Sequence, residues 1–375
     1  MTQLLAESLA TVRLAKLRQL GGSADVIGIV AGPNLTYLTN VAFHLNERPL
    51  ILLVPREGDP GLIINVLEIP KISETAPFPI RFFTYTDVEG PLPAFDAACK
   101  ALNLAGKRIG VEGLRMRVYE GQMLQHFAPG AIVDSIDEPL MRLRLNKDDA
   151  EIAAMRKAIA VSEAALAATL RAVRIGMTEL QIANILLNKM AEAGSGGNAF
   201  DPIVLTGPNT ALPHGVPGER VLQDRDLLLF DWGTTCEGYA ADLTRTFAVG
   251  LISSELATIY ETVLAANEAG IRAAKPGVAA QDVDRAARKV ISDAGYGKYF
   301  IHRTGHGLGL DSHEGPYMRE GNTQLLEPGM VFTVEPGIYI PGVGGVRIED
   351  DLLTTDTGAE VLTSFPKQLQ VVGGA

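Results

Sequence analysis

Short apolar runs alternate with segments of helical spacing in roughly the first 140 residues of the chain. The runs ADVIGIVA at 24–31, PLILLVP at 49–55 and GLIIN at 61–65 are bounded by Gly, Pro or Asp and predict buried strands. PLPAFDAACKALNLAG at 91–106 predicts a helix ended by glycine, and RIGVEG at 108–113 predicts a further strand. This alternation is typical of an α/β domain.

Apolar residues at the start of the chain predict an amphipathic helix. They are Leu4, Leu5, Leu9, Val12 and Leu20, and their spacing fits one helical face. Charged residues interrupt them, so we do not expect a signal peptide. No apolar run in the sequence approaches the roughly 20 residues that a membrane-spanning helix needs.

A long helix is predicted to begin near Asp148. Its apolar face comprises Ile152, Met155, Ile159, Leu166, Leu170 and Val173. Thr178 and Gln181 then have the spacing of a capping box for a second helix. The change of pattern predicts two domains, 1–144 and 145–375, and 375 residues also exceed what a single core usually holds.

The second half contains a faint internal repeat. The stretches 176–194 and 277–295 each run from glycine to glycine over a helical pattern. Each is followed by a histidine loop (LPHG at 212–215, DSHEG at 311–315) and then by an apolar strand that ends in an acid (LLLFDWG at 227–233, VFTVEPG at 331–337). We interpret this order as a duplication that produces two similar halves facing each other.

Each half carries a pair of acids that a hairpin would bring together. The midpoint of Asp231 and Asp242 falls between residues 236 and 237, and the midpoint of Glu335 and Glu349 falls at residue 342. We therefore expect each pair to lie opposite each other on adjacent strands. Buried carboxylates are costly unless they are paired or bind metal, so four of them in apolar surroundings favour divalent ions over solvated turns.

Composition narrows the chemistry further. The net charge of -11 argues against nucleic-acid binding, which needs clustered Lys and Arg. Two distant cysteines exclude a disulfide scaffold and a thiolate zinc site, and they suit a reducing cytoplasm. Four of the six histidines lie between 214 and 313, and HRTGHGLGLDSHEGP supplies the nitrogen ligand. Among Mn, Co, Zn and Fe, a carboxylate-rich site favours Mn.

The strings FDWG, DLTRTF, HRTGHGLG, VEPGIYI and GGVRIEDD resemble the metallopeptidase family of prolidase, aminopeptidase P and methionine aminopeptidase. The resemblance implies an α+β pita-bread catalytic domain with an internal pseudo-twofold repeat over 145–375. It also implies a preceding α/β domain of the creatinase type, because GPNLTYLTN resembles part of that domain. Methionine aminopeptidases usually lack this domain, which disfavours them.

The resemblance also implies a dinuclear metal site and residue roles. The metal ligands would be Asp231, Asp242, His306, Glu335 and Glu349, with Asp242 and Glu349 bridging two divalent ions, Mn before Co or Zn. A bridging hydroxide would attack the bond before proline, assisted by His214, His313 and Glu335. His302 and Arg347 would contact the substrate or orient its partners. A homodimer acting on proline-containing di- or short peptides would be typical.

Substrate length remains open between two family members. A dipeptidase must bind the free carboxylate of proline, and short prolidases often carry an arginine directly after HE-x-P. Here that position is Tyr317, with Arg319 two residues on, so these two residues are candidates for contact with the substrate. The short N-terminal domain favours an Xaa-Pro dipeptidase over aminopeptidase P. A metal-free binding module or creatinase-like chemistry is disfavoured because all five ligand positions are filled.

Overall fold

A computed structural model describes residues 2–373, with side chains described from residue 9 onwards. The chain forms two compact units that divide between Arg144 and Leu145. Within the described residues, no helix is both long enough and apolar enough to span a bilayer.

The first unit is built around a six-stranded mixed sheet in the order β4-β3-β2-β1-β5-β6. Its elements are α1 (Thr2–Leu20), β1 (Val26–Val30), α2 (Pro33–Thr39), β2 (Ile51–Pro55), β3 (Gly61–Asn65), α3 (Ile69–Ile72), β4 (Arg81–Tyr85), α4 (Leu92–Ala101), β5 (Arg108–Val111), α5 (Val118–Phe127), β6 (Ile132–Ser135) and α6 (Asp137–Met141). The predicted strands and the α/β class of this unit agree with the structure, because the strands are the apolar runs and β1 is buried along its whole length.

Helix α1 exists as predicted, but its buried face differs from the prediction. Leu9 and Val12 are 40% and 61% exposed, whereas Leu14 and Leu17 are buried. The side chains of Leu4 and Leu5 lie outside the described residues. The buried face of α1 also includes Arg13. The Nη1 of Arg13 donates to the carbonyl of Tyr37 at 3.0 Å.

The second unit contains two sheets, β19-β11-β8-β7 and β13-β12-β14-β17-β18, and two small hairpins. Its elements are α7 (Asp149–Ala172), α8 (Glu179–Glu192), β7 (Ile203–Thr206), β8 (Leu227–Trp232), β9 (Thr235–Cys236), β10 (Tyr239–Ala240), β11 (Leu243–Val249), α9 (Ser254–Ala273), α10 (Ala280–Asp293), β12 (Gly305–Gly307), β13 (Glu314–Met318), β14 (Val331–Val334), β15 (Gly337–Ile340), β16 (Gly344–Arg347), β17 (Asp350–Thr354), β18 (Ala359–Val361) and β19 (Val371–Val372).

The internal repeat is present as two copies of one element order. Two helices, a strand region, a strand, a small hairpin and a final strand follow one another from α7 to β11 and again from α9 to β17. The second helix has 14 residues in both copies. The predicted capping box is formed at Thr178, which accepts from the Gln181 backbone N–H at 3.2 Å while the Gln181 side chain accepts from the Thr178 N–H.

The hairpin of the first copy is displaced by one residue from the sequence prediction. Strand β9 pairs with β10 through Cys236 and Tyr239, so the turn residues are Glu237 and Gly238. Both have positive φ, 53° and 84°, as a two-residue turn that matches strand twist requires. Asp231 is therefore opposite Thr244 and not opposite Asp242. The prediction from the midpoint was wrong because the two-residue turn lies one residue later in the chain.

The corresponding hairpin of the second copy agrees with the prediction. Val334 pairs with Asp350 in β14 and β17, and Gly337 pairs with Arg347 in β15 and β16. Both registers are centred on Gly342, so Glu335 and Glu349, which lie between these pairs, oppose each other. The second acidic pair therefore lies on adjacent chain segments at the end of the sheet.

Candidate metal centre

The five proposed ligands stand at strand ends or next to glycine. Asp231 is the penultimate residue of β8, Asp242 precedes β11 and His306 is the middle residue of β12. Glu335 follows β14 and Glu349 precedes β17. A backbone bond joins the two copies there, because the Glu349 N–H donates to the carbonyl of Thr244 at 3.1 Å. This bond brings acids from both halves to one place.

The ligand atoms converge in three overlapping groups whose members lie within 4.8 Å of one another. The groups are Asp231 with Asp242 and Glu349, His306 with Glu335 and Glu349, and Asp242 with His306 and His313. The first two groups contain all five predicted ligands and share Glu349. The third adds His313, which the sequence analysis assigned to the substrate side.

His306 presents a free lone pair to the acids. Its Nδ1 lies 3.1 Å from the carbonyl oxygen of Gly307, which can only accept, so Nδ1 carries the proton. Its Nε2 lies 3.3 Å from Glu335 Oε1 and 3.6 Å from Asp242 Oδ2. Burial lowers the pKa of His306 well below its usual value, so the ring is neutral. A neutral imidazole held this way is the form that binds metal.

The carboxylates are under electrostatic stress that a cation would relieve. Burial raises the pKa of Asp242 and of Glu349 well above their usual values, and neighbouring carboxylates, Glu349 for Asp242 and Glu335 for Glu349, raise each pKa further. Burial also raises the pKa of Glu335 to about 7. Asp231 Oδ1 is buried and has no hydrogen-bond partner among the described residues. An oxygen-rich set with one imidazole fits divalent cations.

All three guanidinium nitrogens of Arg347 donate hydrogen bonds to groups around the site. Its Nη2 donates to Asp231 Oδ2 at 2.5 Å and its Nε donates to Thr244 Oγ1 at 3.0 Å. Its Nη1 donates to the Tyr339 hydroxyl at 2.9 Å and to the carbonyl of Pro213 at 3.2 Å. This buried arginine therefore orients one ligand and has its nitrogens engaged within the protein.

The chain of bonds from Arg347 fixes the ring of His302. The Tyr339 hydroxyl accepts from Arg347 and so donates to His302 Nε2 at 2.8 Å. His302 Nδ1 must then be the protonated nitrogen, and it donates to the carbonyl of Arg303 at 2.7 Å. Burial lowers the pKa of His302 to about 3, so it stays neutral. His302 therefore lines the cavity with a neutral ring whose orientation is fixed by two hydrogen bonds.

A cavity of about 730 Å³ opens onto these residues. Its lining includes the five ligands and His214, His302, His313, Arg303 and Arg347, with apolar residues Phe200, Pro202, Ile203, Val216 and Pro217. Tyr317 and Arg319 do not line it. Tyr317 is half-buried, with its ring packed against the guanidinium of Arg303, and Arg319 is exposed. Their predicted contact with substrate therefore lacks a direct route in this structure.

Three residues of this site were not among the candidates predicted from the sequence. Arg303 lies beside His302 inside the HRTGHG string, and Tyr339 lies inside VEPGIYI, so both stood within motifs already singled out. Thr244 lies in DLTRTF, and its hydroxyl donates to Glu349 Oε2 at 2.6 Å. Their position in these strings was the available signal, but their partners lie far away in sequence.

Two family models match the chain. Residues 153–356 match the model of metallopeptidase family M24, and residues 13–146 match the creatinase/prolidase N-terminal domain. The chain belongs to metallopeptidase family M24. It is therefore a peptidase that uses divalent metal, with the pita-bread fold and the creatinase-type first domain that its motifs implied.

Three similar proteins place it more closely within the family. "Putative dipeptidase YkvY" of Bacillus subtilis is 38% identical over 90% of this chain and 93% of its own length. Dipeptidase PepE from Mycobacterium ulcerans is 34% identical, with a TM-score of 0.91 over 98% of both chains. A prolidase from Thermococcus sibiricus is also 34% identical, with a TM-score of 0.91 over 96% of this chain and 98% of its own.

Proposed function

We propose that this M24 peptidase is an Xaa-Pro dipeptidase that hydrolyses the bond before a C-terminal proline. The observation that carries the proposal is the convergence of five ligand atoms and three histidines on one cavity. The names of its relatives, dipeptidase and prolidase, support the same substrate class. The chemistry is proposed to lie within the second unit, because every residue that lines the cavity comes from it.

Asp231, Asp242, His306, Glu335 and Glu349 would hold two divalent ions, because their ligand atoms converge in overlapping groups. When bound, such ions supply a hydroxide nucleophile at neutral pH and polarise the scissile carbonyl. Mn is the favoured metal because four of the five ligands are carboxylates, and Co or Zn could replace it. Arg347 keeps the Asp231 carboxylate in place through its 2.5 Å ion pair.

Protons would be handled by three side chains. Glu335, whose Oε1 lies 3.3 Å from His306 Nε2 at the edge of the cavity, would accept a proton from water and deliver it to the proline nitrogen. His313 Nδ1 accepts from Arg303 at 3.3 Å, which leaves an N–H on Nε2 for the substrate. His214 lines the same cavity and would donate to the oxygen of the scissile carbonyl.

Hydrolysis of Ala-Pro and of Ala-Pro-Ala, measured with Mn, tests the proposal. We expect Ala-Pro to be cleaved with the higher kcat/KM. Cleavage of the tripeptide alone would identify an aminopeptidase P activity instead. Purified protein that holds no divalent ion and gains no activity with added Mn would contradict a metal-dependent mechanism and favour a binding module.

We also propose a cytoplasmic homodimer, in line with the family resemblance. Both cysteines are free and buried, which suits a reducing compartment. Analytical ultracentrifugation of the metal-loaded protein would give the mass directly, and a monomer would contradict this part of the proposal.

A further inference from the structure

A dipeptidase needs a cation for the proline carboxylate, and the expected arginine after HE-x-P is absent here. Two arginines line the cavity, Arg303 and Arg347. Arg347 directs four of its five N–H groups to Asp231, Tyr339, Thr244 and a backbone carbonyl, and its charge is already met by Asp231. Of this pair, Arg303 is the arginine whose charge is not met by a carboxylate among the described side chains.

Arg303 is half-buried at the cavity and lacks an acidic partner. Among the side chains of residues 9–373 no carboxylate oxygen forms an ion pair with its guanidinium, and its Nη2 donates to His313 Nδ1 at 3.3 Å. Charged side chains that line a cavity are usually paired or hydrogen-bonded. The guanidinium therefore has nitrogens that remain available to an anion.

The ring of Tyr317 packs against the guanidinium of Arg303. The guanidinium carbon of Arg303 lies 4.7 Å from the centre of the Tyr317 ring, a cation–π contact. Tyr317 pairs with His306 across β12 and β13, so both side chains project to one face of the sheet. The backbone carbonyl of Arg303 is held by His302 at 2.7 Å. Tyr317 stands at the position where short prolidases often have an arginine, and it contacts Arg303, which lies just before β12.

The location of Arg303 fits the length of a dipeptide. The ring centres of His306 and His313 lie 3.9 Å apart, and Arg303 Nη2 lies 3.3 Å from His313 Nδ1. In a dipeptide the free carboxylate lies one residue beyond the scissile carbonyl, and successive Cα atoms are about 3.8 Å apart. A substrate carbonyl at the acids would place its carboxylate near Arg303.

We infer that Arg303, supported by Tyr317, binds the free C-terminal carboxylate of the substrate and so sets the preference for dipeptides. The inference rests on the proposed dipeptidase function. A planar guanidinium can donate two parallel hydrogen bonds to a carboxylate, which neither lysine nor a neutral amide reproduces.

Steady-state kinetics of the metal-loaded full-length protein test it with Ala-Pro and Ala-Pro amide, which lacks the negative charge. Arg303→Gln should lower kcat/KM for Ala-Pro roughly 10- to 100-fold more than for the amide, with this difference mainly in KM, whereas loss of the bond to His313 lowers activity on both substrates equally. Arg303→Lys should recover part of the loss. Arg272→Gln, the same change on the exposed face of α9, is the matched control.

Tyr317 is a positioning residue in this scheme. Tyr317→Leu should raise KM for Ala-Pro selectively, and Tyr317→Phe, which keeps the ring, should restore it. Equal losses on Ala-Pro and its amide in Arg303→Gln would overturn the inference and leave the dipeptidase function intact. A selective loss in Arg319→Gln instead would also overturn it. A wild type that does not cleave Ala-Pro would overturn the dipeptidase function and this inference together.

Discussion

The guanidinium of Arg347 lies 2.5 Å from one oxygen of Asp231, while the other oxygen of that carboxylate has no partner among the described residues. One oxygen is thus fixed by the protein and the second is left for a cation. A buried carboxylate that is half satisfied in this way is stable only when the remaining charge is also met.

Removing the arginine should destabilise the protein strongly. Arg347→Met leaves Asp231 buried without its cation, and we expect the free energy of unfolding of the metal-free protein to fall by about 3 kcal/mol or more. Urea unfolding measures this loss. Arg156→Met breaks an exposed pair with Glu360 and should cost less than about 1 kcal/mol. Equal effects of the two substitutions would contradict the buried-pair argument.

Loss of a shared ligand should abolish both metal binding and turnover. Asp242→Ala removes a carboxylate that belongs to two of the three converging groups. We expect elemental analysis to show fewer than two ions per chain and activity to fall to background. Near-normal turnover of this variant would refute the two-metal assignment.

The metal-free protein should become less stable as pH rises. Burial raises the pKa of Glu335 from its ordinary 4.5 to about 7, so the folded carboxyl keeps its proton where the unfolded one has lost it. Stability is therefore greatest below about pH 4.5 for this group and declines as pH passes through 7, by about 3 kcal/mol at most. The raised pKa values of Asp242 and Glu349 act in the same direction.

Melting temperatures at pH 5.5 and 8 in a chelating buffer would show this decline. Glu335→Gln should reduce the pH dependence, since its amide does not titrate, and leave the part that Asp242 and Glu349 contribute. Added Mn should reverse the trend, because cations bind the deprotonated carboxylates and bind them better at higher pH. A metal-free protein that gains stability between pH 5.5 and 8 would contradict the assignment.

The first acidic hairpin depends on a glycine. A Cβ at Gly233 would lie 1.8 Å from the carbonyl oxygen of Ala241, so Gly233→Ala must push the two strand ends apart. We expect weaker metal binding by calorimetry and lower thermal stability. Gly121→Ala lies in α5 with nothing within 4 Å of the new Cβ, and it should be neutral or stabilising by up to about 1 kcal/mol. Unchanged metal affinity in Gly233→Ala would show that the hairpin tolerates a different register.

Much of the local structure could be predicted from sequence because it depends on neighbours along the chain. The apolar runs became β1, β2 and β3, and the capping box at Thr178 formed as its spacing indicated. The acid pair around Gly342 was placed correctly because its hairpin is symmetric about that residue. Residue type and order were enough at these points.

Only the tertiary structure decided which residues far apart in the sequence contact each other. Asp231 and Arg347 are 116 positions apart, and Thr244 and Glu349 are 105 apart, so no local pattern could pair them. The buried face of α1 depended on what packs against it. Arg303 became a candidate for carboxylate binding only when the structure showed Arg347 paired with Asp231 and Tyr317 packed against the Arg303 guanidinium. Sequence determined which groups the chain possesses; packing and charge compensation determined which of them remain available for chemistry.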